Sequence, residues 1–333
     1  MTRMSALPPY TVRRHAGISV RKSFIVNSQW RTAGVVSLGL SLALVAACGS
    51  TSQGQGSNQG DTGAPSWEQQ VLADAPVAKP SDIPSGTVLA AAQKRGTLIY
   101  GGGKTGSLFD VQNPLTGREE GFDATMARLL AKYVTGHPAV QEKIVTSETR
   151  TSLLNDGSVD VVFYTFTISA EREKQVDFAG PYFVSGQSII VRDSNNDIHE
   201  LADLKGRTVC VTKGGDAFVT MQDKVPSAKL VTVDSSAPCE TALREGRVDA
   251  EVQDNAIELG QASKGGLKIV GPLLTQSPYG IGLANNSPEV TKFLDDWLRQ
   301  IIKDGTWMTV YQNTVGTVKG ATPIVPTPGQ YGA

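Results

Sequence analysis

Twice in this chain a helix-like run ends at a glycine and passes directly into a strand opened by Val-Asp. The first is Leu153-Leu-Asn-Asp-Gly-Ser-Val-Asp-Val-Val162. The second is Ala242-Leu-Arg-Glu-Gly-Arg-Val-Asp-Ala-Glu-Val252. Each reads as a helix end, a glycine cap and a strand entry. The pair reads either as a common helix-to-strand connection used twice or as the mark of two lobes of the same design. The flanking chain keeps the alternation. Leu98–Tyr100, Asp160–Tyr164, Ser188–Val191, Val209–Val211, Leu230–Val233 and Val248–Val252 read as strands. Phe122–Tyr133, Thr151–Asp156, Asp216–Asp223, Cys239–Glu245, Pro288–Lys303 and Trp307–Tyr311 read as helices. Strands alternating with helices predict an α/β fold with mostly parallel sheets. In such sheets ligands bind beyond the carboxyl ends of the strands.

The amino-terminal segment fixes the compartment. Residues 1–47 carry no acid and six basic residues, and Ala33–Ala47 is an uncharged apolar run. A basic segment followed by a short apolar one is a secretory leader, too short for a comfortable membrane span. It ends Leu44-Val-Ala-Ala-Cys48, which looks like a lipobox, so Cys48 is expected to carry a lipid. Gly49–Gly63 is almost wholly Gly, Ser, Gln, Asn and Thr. Such a composition cannot bury enough apolar surface to offset its ordering entropy, so this stretch reads as a tether. A Pro- and Ala-rich stretch to Pro84 follows, with room for one short helix around Trp67–Leu72. Loss of the leader leaves a net charge of about −7, which disfavours nucleic acid as a partner.

Two cysteines, Cys210 and Cys239, remain for an oxidising compartment. An even pair there is expected to form a disulfide. Tyr100-Gly-Gly-Gly-Lys-Thr-Gly-Ser107 resembles a phosphate loop only superficially. The required glycine five positions before Gly103 is Leu98, and Asn113-Pro114 follows where a helix is needed. No metal-ligand spacing, G-x-S-x-G or H-E-x-x-H occurs, so neither a metal nor another cofactor is expected.

Thr165-Phe-Thr-Ile-Ser-Ala-Glu-Arg172 and Asp177-Phe-Ala-Gly-Pro-Tyr182 resemble the signature of extracellular solute-binding proteins for polar amino acids, family 3. Gly121-Phe-Asp123, Leu204-Lys-Gly-Arg-Thr-Val209, Lys213-Gly-Gly-Asp216, Gly246-Arg-Val-Asp-Ala250, Tyr279-Gly-Ile-Gly282 and Asp304-Gly-Thr-Trp307 agree in order. Within the family the pattern is most similar to the glutamine-binding-type lipoproteins of mycobacteria and related actinobacteria. The resemblance implies a two-lobed periplasmic-binding-protein fold (type II), with a ligand cleft between lobes joined by two crossover strands. It divides the chain into a leader (1–47), a lipid-anchored linker (48–84), the first part of lobe 1 (85–190), lobe 2 (191–278), a return to lobe 1 with the last helices (279–325) and a tail (326–333).

The resemblance also implies a site. Arg172 matches the arginine that takes a ligand α-carboxylate, for which a planar guanidinium is suited. Thr167 and the backbone of Thr165 match groups that cradle the zwitterion. Asp254 matches the acid that takes the α-ammonium. The second-lobe loop departs from the usual Gly-Thr: Gly214-Gly215-Asp216 lacks the threonine. The Gly215 N–H and the Asp216 side chain are expected to replace it. Lys104, in the glycine loop after the first strand, is expected to face the ligand side chain and to favour aspartate, glutamate, asparagine or glutamine. Phe109 or Phe122 would supply an apolar wall.

The implied function is an extracytoplasmic, lipid-anchored, monomeric binding protein on the outer face of the cytoplasmic membrane. It would deliver its amino acid to an ABC permease or present it to a membrane sensor. It would not be an enzyme; the alternative is a dehydratase-like enzyme on the same fold.

Overall fold

The computed structural model describes residues 66–330, apart from 104, 105 and 107. The leader, Cys48, the polar tether and Lys104 lie outside the described residues.

Two five-stranded sheets form the centres of two lobes. In the first the spatial order is Val140–Ile144, Leu98–Gly102, Val161–Val162, Ser277–Leu283, Asp177–Ser185. In the second it is Leu267–Val270, Gln187–Arg192, Ala250–Asp254, Thr208–Thr212, Lys229–Val233. The sheets are mixed rather than mostly parallel. Leu98–Gly102 pairs in parallel with both its neighbours. Ser277–Leu283 and Asp177–Ser185 run antiparallel to each other, and so do Gln187–Arg192 and its two neighbours. The antiparallel members are the strands adjoining the two passages between lobes. The alternation of strand and helix along the chain carries no strand direction, so it could not separate them.

One passage is Ser185-Gly186-Gln187, where the chain leaves one sheet and enters the other. The return runs between Val270 and Ser277. The two passages touch. Gln187 N–H donates to Thr275 Oγ1 (3.1 Å), and Leu274 N–H donates to Gln187 O (2.8 Å). A Cβ on Gly186 would lie 2.3 Å from Thr275 O, so only glycine permits this approach. The strand Gln187–Arg192, expected within the first lobe, therefore sits in the second sheet.

Lobe 1 is packed on aromatic rings. Phe109, Phe122, Tyr182, Phe183, Tyr279 and Trp307 are all essentially buried, and Trp307 Nε1 donates to Tyr182 O (2.7 Å). The helix Phe122–Thr135 lies on this cluster, ending at Gly136 with φ 82°. Part of the expected linker also belongs here. Trp67–Asp74 is a helix closed by a capping box at Ser66, with Val71 and Leu72 in the core. Its Glu68 bridges to Arg128 (2.7 Å) and Arg118 (2.9 Å). The expected tail is partly fixed as well: Gly329 N–H donates to Gly180 O (2.6 Å).

Lobe 2 has a smaller core, including Ile189, Val191, Val209, Val211, Met221 and Val252. The disulfide between Cys210 and Cys239 ties its strand Thr208–Thr212, next to the central one, to the helix Ser236–Arg244. None of the described helices is long and apolar enough to cross a membrane.

Candidate ligand site between the lobes

The carboxyl ends of strands from both sheets face one small cavity. Lobe 1 contributes Arg150, Tyr164, Thr165, Thr167 and Arg172, and lobe 2 contributes Thr212, Gly215, Asp216, Gln253 and Asp254. Six of the seven expected ligand residues meet here; Lys104 lies outside the described residues.

On the first-lobe side, the strand Val161–Val162 runs out through Tyr164 into Thr165, whose φ is 42°. A β-branched residue in the left-handed region is strained. The buried Asp123 holds it there: its carboxylate accepts the Thr165 N–H (2.9 Å) and the Tyr182 hydroxyl (2.8 Å). Burial lifts the Asp123 carboxyl to about 7. The Gly121-Phe-Asp123 triplet thus positions the binding strand and does not touch the cavity. Beyond Thr167 the chain makes a helical turn from Ser169, and Arg172 points back to the strand end. Its Nη1 donates to Thr167 O (2.7 Å).

Arg150 was not among the expected residues. It opens the helix Arg150–Asn155, is 3% exposed, and places its guanidinium carbon over the Phe166 ring, 3.6 Å from the centroid. Its Nη1 donates to Tyr164 O (3.2 Å), while its Nε has no hydrogen-bond partner among the described residues. Burial, and Arg172 nearby, press its pKa down to about 9, so it remains a cation at neutral pH. A charged residue beginning a short helix looks solvent-facing in sequence. Its burial appears only when the helix is set against the first sheet.

On the second-lobe side, Asp254 ends the strand Ala250–Asp254 and is 7% exposed. Burial, and then the Asp216 carboxylate, raise its carboxyl to about 7. Gln253 Nε2 donates to Thr212 Oγ1 (2.9 Å), bracing the two strand ends together. Gly215 precedes the helix Asp216–Lys224 and lines the cavity, but its N–H donates to Thr212 O (3.1 Å). The expected free donor is therefore engaged within the loop. Asp216 turns its carboxylate to Arg172, with Oδ1 2.7 Å from Nη2 and Oδ2 accepting from Nη1 at 3.1 Å.

Phe109 and Phe122 lie in the lobe 1 core, each packed edge-to-face against Phe183 rather than lining the cavity. The apolar part of the wall is Tyr164 and Ile257. Phe109 sits beside polar loop residues in sequence and Phe122 opens a helix behind the polar Glu119-Glu120, so only packing could exclude them. Chemically, the site sets two guanidiniums against two carboxylates across a narrow gap. That arrangement suits a small zwitterion. No cluster of His, Cys, Asp and Glu among the described residues has a metal-holding arrangement.

The model of bacterial extracellular solute-binding proteins, family 3, matches residues 108–317. A glutamine-binding protein of Geobacillus stearothermophilus is 34% identical over 269 residues, covering 80% of this chain and 95% of that protein. The ABC transporter glutamine-binding protein GlnH of Bacillus subtilis (strain 168) is 33% identical over 230 residues, covering 68% and 84%. Among solved structures, the ancestral amino acid-binding protein AncCDT-1, a precursor of cyclohexadienyl dehydratase, is 30% identical with a TM-score of 0.64, covering 69% of this chain and all of that one (100%). With the two mixed sheets, the double passage between lobes and the cleft at the strand ends, these matches agree: the chain belongs to family 3 of the bacterial extracellular solute-binding proteins.

Proposed function

We propose that the protein binds a polar amino acid, aspartate, glutamate or one of their amides, for an ABC-type importer or a membrane sensor. The observation that carries this is the opposition of Arg172 and Arg150 on lobe 1 to Asp254 on lobe 2 across one cavity. In this reading Arg172 takes the α-carboxylate, with Thr165 and Thr167 beside it, and Asp254 takes the α-ammonium. Each lobe then holds one end of the ligand. The bound molecule favours the closed arrangement because only that arrangement offers both contacts. Arg150, joined in this reading by the Lys104 that the resemblance implies, gives the ligand side chain a cationic environment that suits a carboxylate or amide end. The lipid on Cys48 would hold the domain at the outer face of the membrane, with residues 49–63 as its tether.

The fold also carries the precursor of a dehydratase, and Asp254 would be the natural base of such an enzyme. Its placement opposite two guanidiniums favours holding a zwitterion over abstracting a proton. A melting-temperature screen of the purified protein against the twenty amino acids tests the proposal, since a ligand that binds only the folded state raises the melting temperature. Shifts confined to the two acids and their amides are expected. Arg172→Ala should abolish those shifts, because leaving a buried carboxylate unpaired costs about 3–5 kcal/mol. A shift with arginine or lysine instead would refute the side-chain assignment.

A further inference from the structure

A guanidinium has two two-nitrogen edges, and the Nη1–Nη2 edge of Arg172 holds one carboxylate. In the structure that carboxylate is Asp216, bound to both nitrogens at 2.7 and 3.1 Å. The other two Nη protons go to Thr167 O (2.7 Å) and Gly214 O (3.4 Å). The gap left among these side chains is about 30 Å³, room for a water or two and not for the heavy atoms of an amino acid. The two partners sit on different lobes: Arg172 follows a strand of the first, and Asp216 opens a helix of the second. Beside them Lys213 and Glu148 make another pair across the cleft (3.0 Å), more exposed and so weaker.

We propose that Asp216 is a specificity-determining stand-in for the ligand's α-carboxylate. It competes for the same fork on Arg172 and so latches the lobes until a carboxylate of sufficient affinity displaces it. This rests on the reading of Arg172 given above. Two consequences follow from the charges. First, the latch lowers apparent affinity by the fraction of molecules that hold it closed, and a ligand without a carboxylate cannot release it. Second, Asp216 stays in the cavity after displacement, where Arg150 is the other guanidinium. Among the described residues, two cations and two acids then line the site. A net-neutral amide ligand meets a balanced pocket, whereas an acidic side chain brings an unmatched negative charge. Asp216 therefore tilts selection toward the amide, and removing its charge tilts selection toward the acid.

The test uses Asp216→Asn and Asp216→Thr, each compared with the parent protein and with Arg172→Ala. Small-angle scattering without added ligand reads the latch, and calorimetry with L-glutamate and L-glutamine reads the competition. Both Asp216 variants should show a larger radius of gyration without ligand, as Arg172→Ala should. They should bind more tightly than the parent, by about tenfold for L-glutamate and by less for L-glutamine, whereas Arg172→Ala should not bind. Weaker binding in both Asp216 variants would make Asp216 a ligand contact and overturn the proposal. An unchanged radius of gyration in both would overturn it as well. If neither amino acid binds any form but the radius still rises, the latch stands and the amino-acid reading falls. Two substitutions of different shape keep a local defect in the helix start from being mistaken for either result.

Discussion

The carboxyl of Asp254 makes ligand affinity depend on pH in a way that can be worked out in advance. Burial and the Asp216 charge raise it to about 7. A ligand ammonium requires the ionised form. Below pH 7 each binding event must therefore expel a proton, and apparent affinity falls about tenfold per pH unit. At pH 5, two units below, the loss is about 2.7 kcal/mol, or a factor of roughly 100 relative to pH 8. The groups of a free amino acid titrate outside this window, so the slope belongs to the protein. Calorimetry with L-glutamine at pH 5, 6, 7 and 8, in buffers of different ionisation enthalpy, measures both the slope and the proton released. Asp254→Asn supplies the control, with weaker binding at pH 8 and a flat profile. The control is needed because Asp123 also sits near 7. Affinity that does not change between pH 5 and 8, or a slope that survives in Asp254→Asn, would refute the reasoning. Stability without ligand has the opposite sign. A buried carboxyl whose pKa is raised from 3.8 binds more protons folded than unfolded, so stability declines as pH rises from about 4 through 7.

Arg150→Met keeps a long apolar side chain on Phe166 but removes the second cation. Affinity for L-glutamate should fall by about 1.5–3 kcal/mol, roughly ten- to hundredfold, with a smaller loss for L-glutamine. An equal loss for both would assign Arg150 to packing alone. Replacing both Cys210 and Cys239 by serine opens a loop of sequence separation 29. The expected cost is about 3–4 kcal/mol, a fall of roughly 10 °C in melting temperature for a domain of this size. Binding should persist in the variant below its melting transition, because neither cysteine lines the cavity. Unchanged melting would show that the bridge adds nothing to lobe 2.

Much of this was legible in the residues themselves. Strand and helix positions follow from local apolar spacing, and the glycine stops before Val-Asp are read directly because a left-handed cap is a local requirement. Arg172, Thr167 and Asp254 were found through an ordered set of short motifs, and the fold brings all three to one cavity. The disulfide needed only a compartment and an even count, and the structure pairs Cys210 with Cys239. Tertiary structure alone decided what depends on residues distant in sequence. Which strands run antiparallel is set by the two passages between the lobes, and Gly186 looks ordinary until Thr275 O lies against it. Phe109 and Phe122 became core rather than ligand wall because four other rings pack against them. Arg150 became a second cation because the first sheet buries it. Asp216 met Arg172 because two lobes, each legible separately, close on one another; their separation in sequence carries no sign of that pairing. Local chemistry chose the groups, and the packing of one lobe against the other decided which of them face the ligand and which face each other.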